Sequence, residues 1–342
     1  MVVEPEIDPY AENELSLTAA LSITSGDGPL NAPRNLAVAA NGDLYVVDSG
    51  NHRVQVFDRD GRYLRGWGSF GSEPGQFNEP WGITVDDQFV YVADTWNHRI
   101  QKFSLNGQFV LAFGVSGVPA TGETGAGLFF GPRDIIILDD GVLAVTDTGN
   151  HRLQLFDPDG NFIQHIGFLG AQMGQFHEPV GLAIGPDGFV YVADTWNQRV
   201  QTFTNNLFPF LEWRIRGWRS ETIQNKPYLV VDGNNRIYVT DPEAYRVLIF
   251  ASNGDYLARF GRFGADLSSL GLPNGLAVDG DGNLYVADAG NNRILRFDTP
   301  LGPLTSLDPV GPLEEPLAPE AIEPEEEVEM EEPTAVPEEE AP

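Results

Sequence analysis

The chain is 342 residues long, 42% hydrophobic and 20% charged, with 38 Gly and 25 Pro, a turn-rich composition suited to many short strands around a substantial core. A formal net charge of -30 repels phosphate backbones and anionic lipid, which argues against a nucleic-acid or membrane-surface partner. The absence of Cys excludes disulfides, thiolate zinc fingers and cysteine nucleophiles, and no apolar run is long enough to insert in a membrane.

In chain order, residues 1–15 read as an acidic extension: Glu4, Glu6, Asp8, Glu12 and Glu14 stand there with no Lys or Arg. A secretion signal would be basic and then apolar, so none is expected in this chain. The stretch LSLTAALSITSG follows, with a strand expected over Leu17–Ile23. From there to residue 300 short alternating strands recur in groups of four. In the second group they are expected at Gly82–Asp86, Val90–Ala93, Ile100–Phe103 and Phe109–Phe113. Turns such as DRDGR (Asp58–Arg62), SLNGQ (Ser104–Gln108) and DPDGN (Asp157–Asn161) put Gly where a positive φ is wanted. A Pro precedes each first strand, at Pro33, Pro80, Pro132, Pro179, Pro227 and Pro273, where the incoming chain is not yet paired. After Ile294–Phe297 no convincing fourth strand appears, and Leu17–Ile23 has the character to supply it, closing a ring and removing exposed edges. Residues 301–342 carry 14 acidic residues and no basic one among many Pro, and are expected to be a disordered tail. The acidic ends removed, residues 16–300 carry about -11.

Six copies of one signature organise this body. They are DSGNHRVQVF from Asp48, DTWNHRIQKF from Asp94, DTGNHRLQLF from Asp147, DTWNQRVQTF from Asp194, DPEAYRVLIF from Asp241 and DAGNNRILRF from Asp288. A spacing of 46 to 53 residues with four strands per unit is that of a β-propeller blade. The signature, following P-x-G-hydrophobic-x-V-D and Y-V-A-D, resembles the NHL repeat across residues 16–300. That resemblance implies an all-β, six-bladed propeller. It leaves function open, since NHL propellers include protein- and RNA-binding modules, an amidating lyase and bacterial surface domains. The copy at Asp241 departs from the pattern, lacking both Asn and His.

The six Asp/Arg pairs of the signature, such as Asp94 with Arg99 and Asp194 with Arg199, are expected to be structural, because a site does not need six copies. Its histidines, His52, His98 and His151, occupy a slot filled elsewhere by Gln198, Tyr245 and Asn292, so they do not specify a metal. The amidating lyase places zinc histidines just after the first-strand Pro. Here those positions hold Arg34, Trp81, Arg133, Val180, Tyr228 and Asn274. The D-x-D-G strings lack the downstream Glu of a calcium loop and read as hairpin turns. What differs between units lies at one mouth of the central channel: Arg34, Trp81, Arg133 and Tyr228 near the axis, Trp96 and Trp196 farther out. Aromatic side chains with Arg are what binding hot spots use.

The leading expectation is therefore a non-enzymatic binding or scaffold module, without cofactor, recognising a protein or glycan through that face. Similar propellers occur fused to or beside bacterial envelope proteins, which favours an extracytoplasmic monomer associated with a larger envelope protein. The alternative is a calcium-dependent lactonase- or esterase-like hydrolase with Asn35, Asp134 and Asn274 as oxygen ligands in the channel. RNA binding needs a basic face, and Lys102 and Lys226 are the only lysines in the chain.

Overall fold

The structure, a computed structural model, describes residues 8–218 and 226–298. The Pro/Glu-rich tail of 301–342 and the first seven residues lie outside them. The repeats fold as six four-stranded antiparallel sheets arranged as a closed propeller. The innermost strands of blades one to six are Pro33–Val38, Ile83–Val85, Pro132–Ile137, Pro179–Ile184, Leu229–Val231 and Pro273–Val278. In blade two the strands run Ile83–Val85, Phe89–Asp94, Arg99–Ser104 and Phe109–Phe113, so the first is shorter than expected and the middle two are longer. The 53-residue step before blade three is taken up by a longer connection in which Val115–Ser116 pairs with Leu128–Phe129.

Most of the core lies between blades, with one small cluster of Trp81, Val180 and Tyr228 at the axis. Apolar residues that alternate along each strand pack against the next blade. Tyr45, Val47, Val54 and Val56 of blade one thus meet Phe77, Ile83, Val92 and Phe103 of blade two. Close approach at the axis depends on a small residue. A Cβ on Gly82 would stand 2.6 Å from the Arg133 carbonyl oxygen, so any larger side chain there would force the second and third blades apart.

The ring closes as the missing fourth strand implied. Leu21–Ile23 pairs antiparallel with Arg293–Phe297, setting Leu21 against Arg296 and Ile23 against Ile294. Ile23 also joins Leu36, Val46 and Phe57 of blade one to Tyr285 and Ala287 of blade six. The strand is shorter than Leu17–Ile23 because the chain before it serves another contact: the Ala19 N–H bonds the Leu267 carbonyl at 2.8 Å, and Ala19 is buried between blades five and six. Residues 8–15, read from sequence as part of an acidic extension, lie along blade five with Tyr10 buried.

Candidate functional site

The signature folds into a hub at the turn between the second and third strands of each blade. Asp94 Oδ2 accepts from Asn97 Nδ2 (2.9 Å), Arg99 Nε (2.9 Å) and Gln101 Nε2 (3.0 Å), while Oδ1 accepts from the Asn78 N–H (2.8 Å). Asp48, Asp147 and Asp194 repeat this arrangement. The Arg then reaches the loop entering the blade, as Arg199 does to the carbonyls of Gln172 and Gln175 at 2.9 Å each. Burial pushes Asp94, Asp147 and Asp194 above the usual carboxylate range, against the pull of these donors.

The variable slot has a common backbone. His52, His98, His151, Gln198, Tyr245 and Asn292 are all left-handed, with φ between 52° and 57°. The imidazoles link blades: His52, His98 and His151 accept at Nδ1 from the N–H groups of Glu79, Gly131 and Glu178, at 3.0, 3.0 and 3.1 Å. Asn292 does the same with its side-chain oxygen for Ala32 at 2.8 Å. A slot that takes His or Asn is thus asking for an acceptor. Thr95 and Thr148 add a second link by donating to the carbonyls of Pro132 and Pro179 at 2.8 and 2.7 Å. Sequence reasoning missed this clasp, whose signal is a ring-nitrogen or amide acceptor exchanging at one position. Among the described residues no group of three or more His, Asp or Glu side chains could hold a metal.

The six expected contact residues divide into two sets. Trp81, Tyr228, Arg34 and Arg133 are buried and fill the axis of the ring. The Arg34 and Arg133 guanidinium groups lie 4.7 and 4.0 Å from the Trp81 ring centroid, and Tyr228 donates to the Arg133 carbonyl at 3.1 Å. These four form a plug rather than an exposed surface, because four blades deliver large side chains into one narrow channel. Desolvation pushes Arg133 down to about 10, which leaves it charged at neutral pH, and pushes the Tyr228 phenol up.

Two of the three oxygen ligands of the alternative reading, those of Asn35 and Asp134, are committed to the protein's own N–H groups. Asn35 turns its Nδ2 toward Asp134 Oδ1 (3.0 Å) and gives its oxygen to the Leu36 N–H (2.9 Å). Asp134 also accepts from the N–H groups of Ile135 (3.0 Å) and Leu182 (2.8 Å), and burial pushes its carboxyl up to about 8. A calcium ion there would have to displace these bonds from Asn35 and Asp134. The third, Asn274 Oδ1, is buried without a hydrogen-bond partner.

Trp96 and Trp196 stand on the rim, Trp96 half-buried and Trp196 44% exposed. Each is steered by a carboxylate: Trp96 Nε1 donates to Glu79 at 3.2 Å and Trp196 Nε1 to Glu178 at 2.7 Å. His177 stacks on Trp196 at 5.5 Å, and Lys226 lies 5.2 Å over the same ring while bonding Glu178 at 3.2 Å. Burial raises the Glu178 carboxyl, but Lys226, the Trp196 N–H and Arg133 outweigh it and hold the group below its ordinary value. From Trp96 to Glu178 runs a groove of about 270 Å³, lined also by Phe130, Gly131, Arg133 and Thr148. It is mostly apolar, with one cation in the floor and one carboxylate in the wall. Phe130, 47% exposed and stacked on His98 at 5.7 Å, is a lining residue that sequence reasoning missed.

The NHL repeat model matches residues 30–57, 77–103, 176–203 and 270–297, covering blades one, two, four and six. The chain is 42% identical over 57 residues to the RING finger protein nhl-1 of Caenorhabditis elegans, 17% of this chain and 6% of that one. It is 29% identical over 141 residues to the protein brain tumor of Drosophila melanogaster, 41% of this chain and 13% of that one. The chain thus matches only a small part of the length of either relative. Among solved structures, a streptogramin B lyase superposes with a TM-score of 0.55 at 15% identity, covering 80% of this chain and 95% of the lyase. A gluconolactonase from Xanthomonas campestris superposes with a TM-score of 0.58 at 16% identity, covering 85% and 99%. At such identities the likeness is one of fold.

Proposed function

We infer, for a chain that carries NHL repeats and folds as a six-bladed β-propeller, a non-enzymatic binding module that takes an extended protein segment across its channel-mouth rim. One observation carries this reading: Trp96, steered by Glu79, lines a side-chain-sized apolar groove on a rigid scaffold, and Trp196 hydrogen-bonds the Glu178 that forms the groove's wall. Rigid aromatic side chains at a rim supply large contact area at low entropic cost. The groove is small for a free small-molecule ligand and suits one or two side chains of a longer partner. Its floor and wall, Arg133 and Glu178, offer a charge of each sign to fix the partner's register.

The test is selection of peptides from a displayed library against the full chain, followed by titration. Trp96→Ala with Trp196→Ala is expected to weaken the selected peptides by at least about tenfold, ~1.4 kcal/mol. Equal affinity for the double variant would overturn the reading. Trp-dependent binding to arrayed glycans, with no peptide selected, would move the partner to sugar. Excess calcium is expected to leave the melting temperature unchanged. A rise abolished by Asp134→Ala would restore the hydrolase alternative.

A further inference from the structure

The outer strands of the first three blades each present an apolar side chain to solvent at one equivalent position: Leu64, Val110 and Ile163 are 44%, 45% and 48% exposed. In blade five that position is Leu257, only 7% exposed, because the chain's own N-terminal segment lies over it. The cover is built from specific contacts. The Leu15 N–H bonds the Arg259 carbonyl at 2.8 Å and the Arg259 N–H bonds the Asn13 carbonyl at 3.2 Å, a parallel bridge to the edge of the sheet. Glu14 pairs with Arg259 at 2.8 Å, and Asp8 pairs with Arg246. Tyr10 inserts its ring beside Tyr256 (5.0 Å) and Phe250 (6.0 Å), with Arg246 at 5.4 Å from its centroid. Its hydroxyl accepts from the Arg216 N–H at 3.0 Å, and Tyr256 donates to the carbonyls of Tyr10 and Glu12 at 3.2 and 2.8 Å.

We propose that the outer edge of blade five is a peptide-recognition groove, filled in cis by residues 8–17. It takes from a partner protein an extended acidic segment of the same chemistry: an Asp, a Tyr two residues on, then Glu-Leu four and five residues after the Tyr. Two arginines set the charge of the ligand, one aromatic slot sets its anchor, and a sheet edge sets its extended form. The groove is equipped for exchange. Asp8 and Glu14 are 37% and 50% exposed, so solvent screens their pairs, and a single bridge replaces a full ladder. The blade is also the one that departs from the signature: Asp241 has Arg246 but neither the Asn nor the Gln of the hub, and Arg246 turns to Asp8. This groove is separate from the channel-mouth rim, and either can fail alone.

The experiment titrates a labelled synthetic peptide of residues 5–18 against the full chain and against the full chain bearing Asp8→Ala and Tyr10→Ala. The double variant is expected to bind at least about tenfold tighter than the wild type, whose groove is already filled, and Arg246→Ala added to it is expected to reverse the gain. Equal binding to wild type and variant, or equal binding of a scrambled peptide, overturns the proposal. Should the variant melt early, the wild type carries the test through cleavage at Glu12 and Glu14 by a glutamyl endopeptidase. Faster cleavage with excess peptide supports displacement, and an unchanged rate overturns it.

Discussion

Asp94, itself fully buried, accepts from four donors belonging to Asn78, Asn97, Arg99 and Gln101. Asp94→Ala takes the counter-charge from a largely buried guanidinium and leaves it and two amides with carbonyl partners alone, and is expected to cost about 3–5 kcal/mol in chemical denaturation. Asp241→Ala is expected to cost less, because its hub lacks the Asn and the Gln and its Oδ1 has no partner to lose. The histidine clasp makes a second prediction at this scale. Burial holds His98 and His151 below the ordinary 6.5, and each uses Nδ1 as an acceptor, so the folded state keeps them neutral. As pH falls through 6.5 the unfolded chain takes up protons first. Their contribution to stability is therefore complete above that value and declines below it. Melting temperatures from pH 8 down to pH 5 should show the decline, and His98→Asn with His151→Asn should flatten it, since Asn292 already makes the same clasp without titrating. A slope unchanged in the double variant would remove the histidines from the account.

At the scale of elements, two segments before blade one do work that their length conceals. Leu21–Ile23 is three residues long, yet it is the fourth strand of blade six and part of the seam with blade one. Deleting residues 1–23 is expected to replace a single cooperative melt with a broad one and to promote association, because the edge at Arg293–Phe297 is then bare. A deletion that still melts sharply as a monomer would show the ring closed by packing alone. This strand was legible in the sequence because counting strands left one blade short. Residues 8–15 were not, since Tyr10 is a lone anchor with no alternation around it, and an acidic stretch without periodicity looks the same whether it is solvated or pinned to Arg246 and Arg259. The groove's Phe130 was hidden for another reason: it holds the position of Asn31, Asn78 and His177, two residues before the first-strand Pro, where the hub Asp requires only the backbone N–H and the side chain is free to vary.

For the whole molecule, the channel-mouth face separates into an axis that holds the ring and a rim available for contact. Residue types do not distinguish the two, since Trp and Arg serve in both. Trp81 between Arg34 and Arg133 looks in sequence like a hot spot, and becomes a plug only when several blades converge on one channel. Trp96 and Trp196 share a motif position one strand farther along, which places them on the turns outside. The separation is tested most directly by measuring stability and peptide affinity together in Trp81→Ala and in Trp96→Ala with Trp196→Ala. The account predicts that Trp81→Ala loses about 3–5 kcal/mol of stability, while the folded fraction still binds the selected peptides. The rim pair should keep its stability to within about 1 kcal/mol for each change and lose binding. A Trp81 variant that stays stable and fails to bind, or a rim variant that unfolds, would contradict it.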